Sequence, residues 1–260
     1  MSRTVGVLLA IIISLLSIEV MLRLTDPLGL IYWWDDINAY DRILETDAAR
    51  GYVMTPGVHD FGGWRAIVNT DHERVVPASG AGCRVVFLGD SLTFGWGVND
   101  DETFVNLLAA MLNIEAANTG TNGYNIWQIS AVMRLYETDL FVWLAIDNDA
   151  EPTWNLPARQ ARTNYRFASE KYLSFVFQTG QPVNDWPRFR ATAASLPDAH
   201  RLLIVAFDEP YASHLPQAHL IARYASAISA VDSHPDAAGH VEIASALLPI
   251  LEESLQCQNQ

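Results

Sequence analysis

A serine hydroxyl is a poor nucleophile until a neighbouring base takes its proton, and two short segments of this chain could supply such a pair. The first is Gly89-Asp90-Ser91-Leu92-Thr93-Phe94-Gly95, which follows the apolar, β-branched run Arg84-Val85-Val86-Phe87-Leu88. The run reads as a buried strand, so Ser91 is expected at its carboxyl end, the edge where open α/β sheets hold their ligands. A polar turn is the plain alternative, because Gly, Asp and Ser are common turn formers. The second segment is Asp232-Ser233-His234-Pro235, near the other end of the chain. An imidazole works best as a base when a carboxylate holds its far nitrogen, and Asp232 is close enough to His234 to do so from one loop. His59, His72, His200, His214, His219 and His240 read instead as surface or packing residues.

Two further segments could stabilise the negative oxygen that builds up when a serine attacks a carbonyl. Asn118-Thr119-Gly120-Thr121-Asn122-Gly123 follows a second short strand, Ile114–Asn118, and Asn148-Asp149 follows a third, Leu140-Phe141-Val142-Trp143-Leu144-Ala145-Ile146. A backbone amide in a glycine turn and an asparagine amide are both suitable donors. The elements that carry these loops alternate. Phe104, Leu107, Leu108 and Met111 recur at helical spacing over 102–112, a helix is predicted over about 125–138, a strand over 201–207 and a last helix over about 237–254. Repeated strand then helix implies a parallel sheet covered on both faces, a three-layer α/β/α domain with about five central strands. Residues 150–200 break the rhythm with five prolines and read as a cover insert, in which Tyr165, Ala168, Tyr172 and Phe175 would share a helix face.

Taken in order, the four segments resemble the serine, glycine, asparagine and histidine blocks of the SGNH/GDSL hydrolase superfamily, including a bacterial subgroup with an amino-terminal anchor and a lead-in such as Asn69-Thr70-Asp71-His72-Glu73-Arg74. The resemblance covers residues 84–149 and 232–250. It implies a flavodoxin-like sheet, Ser91 as nucleophile, His234 as base and Asp232 as the acid that orients it. It also implies an oxyanion hole made by the Ser91 amide, the Gly123 amide and the Asn148 side chain. Two positions depart from the family pattern. Asp232 stands two residues before His234, where three is usual, and Ile146 stands two residues before Asn148, where glycine is usual. In this architecture the last helix runs back to where the first strand begins, which implies a disulfide between Cys83 and Cys257, consistent with an oxidising compartment.

The remaining sequence bounds the setting. Residues 4–22, between Arg3 and Arg23, are almost wholly apolar and at ~1.5 Å per residue are long enough to cross a bilayer. No small-x-small cleavage site or lipoprotein cysteine follows, so residues 1–24 read as an uncleaved anchor rather than a signal peptide. Asp26, Asp35 and Asp36 beyond Arg23 place the bulk of the chain outside the cytoplasm, periplasmic or extracellular. Residues 25–82 read as an irregular lead-in of short strands and loops, and 83–260 as the hydrolase domain. A net charge of −14 over 260 residues argues against nucleic acid as a partner. The histidines and carboxylates lack metal-ligand spacing, and no cofactor is expected. The expected activity is hydrolysis of an ester, with an O-acyl group on an extracytoplasmic glycan or lipid as the candidate substrate. An O-acyltransferase using the same residues is the nearest alternative, and a non-catalytic envelope polysaccharide binding or assembly protein a third.

Overall fold

A computed structural model describes residues 3–152, 155–163, 167–177, 184–207 and 213–255. Two helices, α1 (Arg3–Thr25) and α2 (Leu30–Asp41), precede four short strands, β1 (Leu44–Asp47), β2 (Gly51–Met54), β3 (Gly57–Asp60) and β4 (Arg65–Val68). Then come β5 (Arg84–Leu88), the one-turn helix α3 (Ser91–Phe94), α4 (Phe104–Leu112), β6 (Glu115–Asn118), α5 (Ile126–Met133) and β7 (Leu140–Ala145). The chain continues through α6 (Leu156–Thr163), α7 (Ala168–Phe177), α8 (Trp186–Ala193), β8 (Leu202–Ala206), β9 (His219–Leu220) and α9 (Ala237–Ser254). These elements fall into two compact units: Met1–Arg42 with Pro157–Gln181, and Ile43–Leu156 with Pro182–Gln260.

The larger unit holds a five-stranded sheet in the order β6-β5-β7-β8-β9, parallel throughout. Alternation along each strand divides the core into two layers. Val85, Phe87, Val142, Leu144 and Val205 pack with Leu108 and Leu112 of α4 and Ile243 and Leu247 of α9. On the other face lie Val86, Phe141 and Trp143, covered by α5 and α8, where Trp143 and Phe189 approach to 6.1 Å between ring centroids. Cover on both faces explains why β7 is apolar at every position rather than alternating, since all six of its residues are buried. The chain leaves β5 for β6 on one side and then crosses to β7 on the other. The carboxyl ends of β5 and β7 therefore flank the point where strand order reverses, where a crevice opens in such sheets.

Three local readings shift. The buried face of α4 is Phe104, Val105, Leu108, Ala109 and Leu112, whereas Met111 is exposed. Helix α5 stops at Met133, short of 138, because the next residues are drawn into the sheet: Thr138 Oγ1 donates to the Arg84 carbonyl at 2.6 Å and the Arg84 amide donates to Asp139 at 2.9 Å. Leu30–Asp41 is a helix where irregular chain is expected. No proline or glycine interrupts it, and the Asp26 carboxylate accepts from the first-turn amides of Ile31 and Tyr32 at 3.1 and 3.0 Å.

The smaller unit contains α1, α2, α6 and α7. Helix α1 has 23 residues, none of them buried, and is long and apolar enough to cross a membrane. Residues 157–181 thus group with the amino-terminal helices, while α8, also within the expected cover, packs on the sheet. Of the aromatic face expected on 161–178, Ala168 is buried, Tyr172 is half-buried and Phe175 is exposed. Tyr165 lies outside the described residues.

Candidate active site

The tip of β5 sets the serine. Gly89 turns the chain with φ of 154°, and a Cβ there would lie 2.2 Å from Thr93 Oγ1, so glycine is what lets the strand fold directly into α3. Asp90 caps that helix by accepting from the Leu92 amide at 3.0 Å, which leaves Ser91 as its first residue. The glycine block braces the same turn from the side. A Cβ on Gly120 would lie 2.2 Å from the Phe94 amide nitrogen, and Asn118 donates to the Thr93 carbonyl at 2.8 Å.

His234 meets this serine from 143 positions away in the chain: its Nε2 lies 2.7 Å from Ser91 Oγ. On the other side of the ring, Nδ1 lies 2.5 Å from Asp232 Oδ1. An ionised carboxylate accepts only, so Nδ1 carries the proton in the neutral ring and Nε2 is left as an acceptor aimed at the hydroxyl. The two-residue spacing from Asp232 to His234 is accommodated because the loop turns back on itself, with the His234 amide also donating to Asp232 Oδ1 at 3.1 Å. Burial pushes the Asp232 carboxyl up, but the bonds from His234 and from Trp96 outweigh it and hold the group below its ordinary value. Residues 224–228, just before this loop, support it. Tyr224 donates to the Ser233 carbonyl at 2.5 Å, and Ile228 donates to the His234 carbonyl at 2.9 Å.

Asn148 arrives from β7, the neighbour of β5. It donates through Nδ2 to Asp90 Oδ2 at 2.9 Å, and because that carboxylate can only accept, the amide is oriented with nitrogen toward the serine turn. One N–H is spent on Asp90 and a second remains. Asp90 Oδ2 is also 3.1 Å from Ser91 Oγ, so this one carboxylate touches both the expected nucleophile and the expected oxyanion donor. A cavity of about 180 Å³ opens over Ser91, Asn148 and His234, walled by Leu92, Ile146 and Tyr224. Ile146, in place of the usual glycine, is therefore part of the wall. Gly123 adopts φ of 77° in the turn after β6 and is not among the residues lining this cavity.

Several contributors escape sequence reasoning. Trp96 is fully buried, donates from Nε1 to Asp232 Oδ2 at 3.1 Å and lies 5.9 Å from the His234 ring. Behind it stand Trp64, at 5.3 Å, and Phe61 stacked on Trp64 at 4.2 Å, both from the lead-in. Asp149 is wholly buried, accepts from Trp143 Nε1 and the Ile146 amide at 3.0 Å each, and fixes the turn that presents Asn148. Burial first, then the charge of Asp90, raises its carboxyl well above the usual range. Arg74 is 1% exposed and donates to the carbonyls of Phe94, Gly95 and Val98 at 2.8, 2.5 and 2.6 Å and to Asp100 at 2.8 Å. It thereby holds the loop that carries Trp96. His240 is buried against Phe104, whose amide donates to its Nδ1 at 3.2 Å; burial lowers it to about 3, so it packs as a neutral ring. Cys83 is buried and disulfide-bonded, and Cys257 lies outside the described residues. Among the described residues no group of His, Cys, Asp and Glu could hold a metal ion.

No protein-family model matches the sequence, and no curated protein matches it. Among solved structures it is similar to a member of the lipolytic protein G-D-S-L family from Veillonella parvula DSM 2008, with 14% identity and a TM-score of 0.42 over 65% of this chain and 98% of that one. It is similar also to a carbohydrate esterase family 2 enzyme plus carbohydrate binding domain from Corynascus thermopiles (Myceliophthora fergusii), with 14% identity and a TM-score of 0.44 over 71% and 70% of the two chains. A carbohydrate acetylesterase family member from Sinorhizobium meliloti is similar at 15% identity and a TM-score of 0.40, over 66% of this chain and 99% of that one.

Proposed function

We propose that this chain is a serine esterase that removes a short acyl group through a covalent intermediate on Ser91. The observation that carries the reading is the continuous line of contacts from Ser91 Oγ through both nitrogens of His234 to Asp232, at 2.7 and 2.5 Å. Ser91 Oγ attacks the ester carbonyl carbon as its proton passes to Nε2, and Asp232 stabilises the imidazolium that forms. The oxygen that gains charge is met by the free N–H of Asn148 and by the Ser91 amide, an unsatisfied donor at the start of α3. Collapse expels the alcohol, which takes the proton from Nε2. Water then enters, loses a proton to the same nitrogen and releases the acid. The cavity of about 180 Å³ favours acetyl-sized groups, and Ile146 in its wall limits chain length.

The Gly123 amide, from the glycine turn after β6, is proposed as a third donor to the oxygen that gains charge. The proposed setting is extracytoplasmic, with α1 crossing the membrane and its amino end in the cytoplasm. Its 23 residues span about 35 Å at ~1.5 Å each, which is enough for the apolar core of a bilayer. An O-acetyl group on a glycan or lipid of that compartment is the proposed natural substrate.

Incubation with a fluorophosphonate probe is expected to label Ser91, found by mass spectrometry of the tagged peptide, and the protein is expected to turn over p-nitrophenyl acetate faster than longer esters. Absence of both would sink the esterase reading, and acyl transfer to an added sugar in preference to water would move it to an acyltransferase. Asn148→Ala is expected to lower kcat by roughly 100- to 1000-fold with little change in KM, because the donor acts on charge that appears only in the transition state.

A further inference from the structure

Helix α7 has a feature that the site does not use. Its first turn is tied to the apolar helix α1. Glu19, six residues before the end of α1, accepts from the Ala168 amide at 2.7 Å and from the Ser169 amide and hydroxyl at 3.1 and 3.0 Å. Further along α7, Tyr172 donates to Asp26 at 2.8 Å and Lys171 pairs with Asp35 at 3.2 Å. One face of α7 is thus fixed to the carboxyl end of α1 and to the residues just beyond it. Along the rest of the helix Leu173, Val176 and Phe177 fall within one arc of about 100° and are 56, 64 and 68% exposed, while Phe175, on the opposite side, is 43% exposed. Phe167, just before the helix, is also exposed.

We infer that α7 lies in the surface of the bilayer beside α1, with Leu173, Val176 and Phe177 among the lipid acyl chains. The inference rests on the reading of α1 as a membrane span. A carboxylate inside such a span is costly unless polar groups meet it, and those that meet Glu19 are the Arg23 guanidinium, one turn on in α1 at 2.8 Å, and the amides and Ser169 hydroxyl that open α7. With residues 4–22 as the apolar span, Glu19 lies three residues, about 4.5 Å, inside its carboxyl end, so α7 opens just below the headgroup region. A helix held there with three large apolar side chains facing outward has the amphipathic character of an interfacial helix, whose apolar side enters the bilayer by about 5–10 Å. The outward apolar side chains of α1 near the same level, Val20, Met21 and Leu24, are exposed as well, so the apolar surfaces of the two helices belong to one unit and one setting. The partner is the lipid boundary itself, not a protein groove.

The test uses the full chain reconstituted in phosphatidylcholine vesicles. Single variants Leu173→Cys, Val176→Cys and Phe177→Cys are labelled without reductant with an environment-sensitive fluorophore, the unsubstituted chain serving as the blank. Leu15→Cys reports α1. Labels at 173, 176 and 177 are expected to lose emission to lipids bearing a nitroxide near the headgroup and to be shielded from aqueous iodide. The label at 15 is expected to lose emission to a nitroxide at the chain end. If position 15 responds in this way while all three α7 positions are quenched by iodide and not by lipid, α1 spans the membrane and the inference about α7 is wrong. If position 15 also ignores the lipid quenchers, the span reading fails and takes this inference with it. Three separate exposed positions keep the result independent of any one variant that misfolds.

Discussion

Replacement of His234 by alanine is expected to lower kcat for p-nitrophenyl acetate by about 10⁵- to 10⁶-fold, the scale seen when one member of a serine–histidine pair is removed. The serine would keep its position, since Asp90, Gly89 and the α3 turn fix it without help from the imidazole, but no group at 2.7 Å would remain to take its proton. Ser91→Ala should lose as much, and the double variant no more than either single one, because the two side chains act as a unit. Additive losses would mean that they work independently and would remove the acyl-enzyme mechanism. Asp232→Ala should cost less, about 10⁴-fold, since the imidazole would keep its serine contact but lose the acceptor that fixes its tautomer. Asp232 also links acidity to folding. Its native carboxyl is more acidic than the unfolded one, so the unfolded state binds more protons once pH drops below the ordinary carboxylate value. The stabilisation it gives is present above that value and is lost as pH falls through the lower native one. Urea titrations at a series of acidic pH values should show wild type losing stability more steeply there than Asp232→Asn.

Arg74→Met should be among the most destabilising single changes in the molecule, at about 3–5 kcal/mol, because it strands a buried charge. Asp100 is 6% exposed and would keep only the Ile67 amide, at 3.2 Å, in place of its guanidinium partner. The carbonyls of Phe94, Gly95 and Val98 would lose the guanidinium at the same time, Phe94 keeping the Asn118 amide at 3.5 Å and Gly95 the Val98 amide at 3.4 Å. Against a typical total of about 5–15 kcal/mol, a loss of that size is visible as a large drop in the urea midpoint. Arg74→Met with Asp100→Leu should recover part of it, since the second change removes the orphaned carboxylate. An unfolding free energy within about 0.5 kcal/mol of wild type, the range of ordinary surface changes, would show that this arginine does not brace the loop. At a temperature where the variant stays folded, activity should still fall, because Trp96 rides on the loop and reaches Asp232.

The parts of the site that sequence reveals are those encoded locally. A β-branched run ending in Gly-Asp-Ser, and a carboxylate two residues from a histidine, each declare a strand tip or a loop within a few positions. The sheet follows from the same logic, because fully buried strands such as Leu140–Ala145 are apolar at every position and the helices between them keep a helical period. What sequence does not reveal is encoded by distant contact. Nothing near Trp96 announces that its indole will meet a carboxylate at position 232, and Arg74 reads as an ordinary surface charge until Phe94, Gly95 and Val98 are seen to converge on it. The rotation of α4 is hidden for a related reason: Met111 and Leu112 are both apolar, and only the position of α9 decides which of them is buried. Helix α2 is not legible in the sequence because its cap, Asp26, lies four residues before its first turn and resembles any acidic residue flanking an apolar segment.

Lys171 is the chain's single lysine, and it is 6% exposed with its ammonium held by Asp35 of α2. Amine-reactive reagents therefore find one side-chain target in the whole protein, and that target is closed while α7 stays docked. Its rate of acylation by a succinimidyl ester is a chemical gauge of how often α7 lifts from α2, readable at a single tagged peptide without introducing any label.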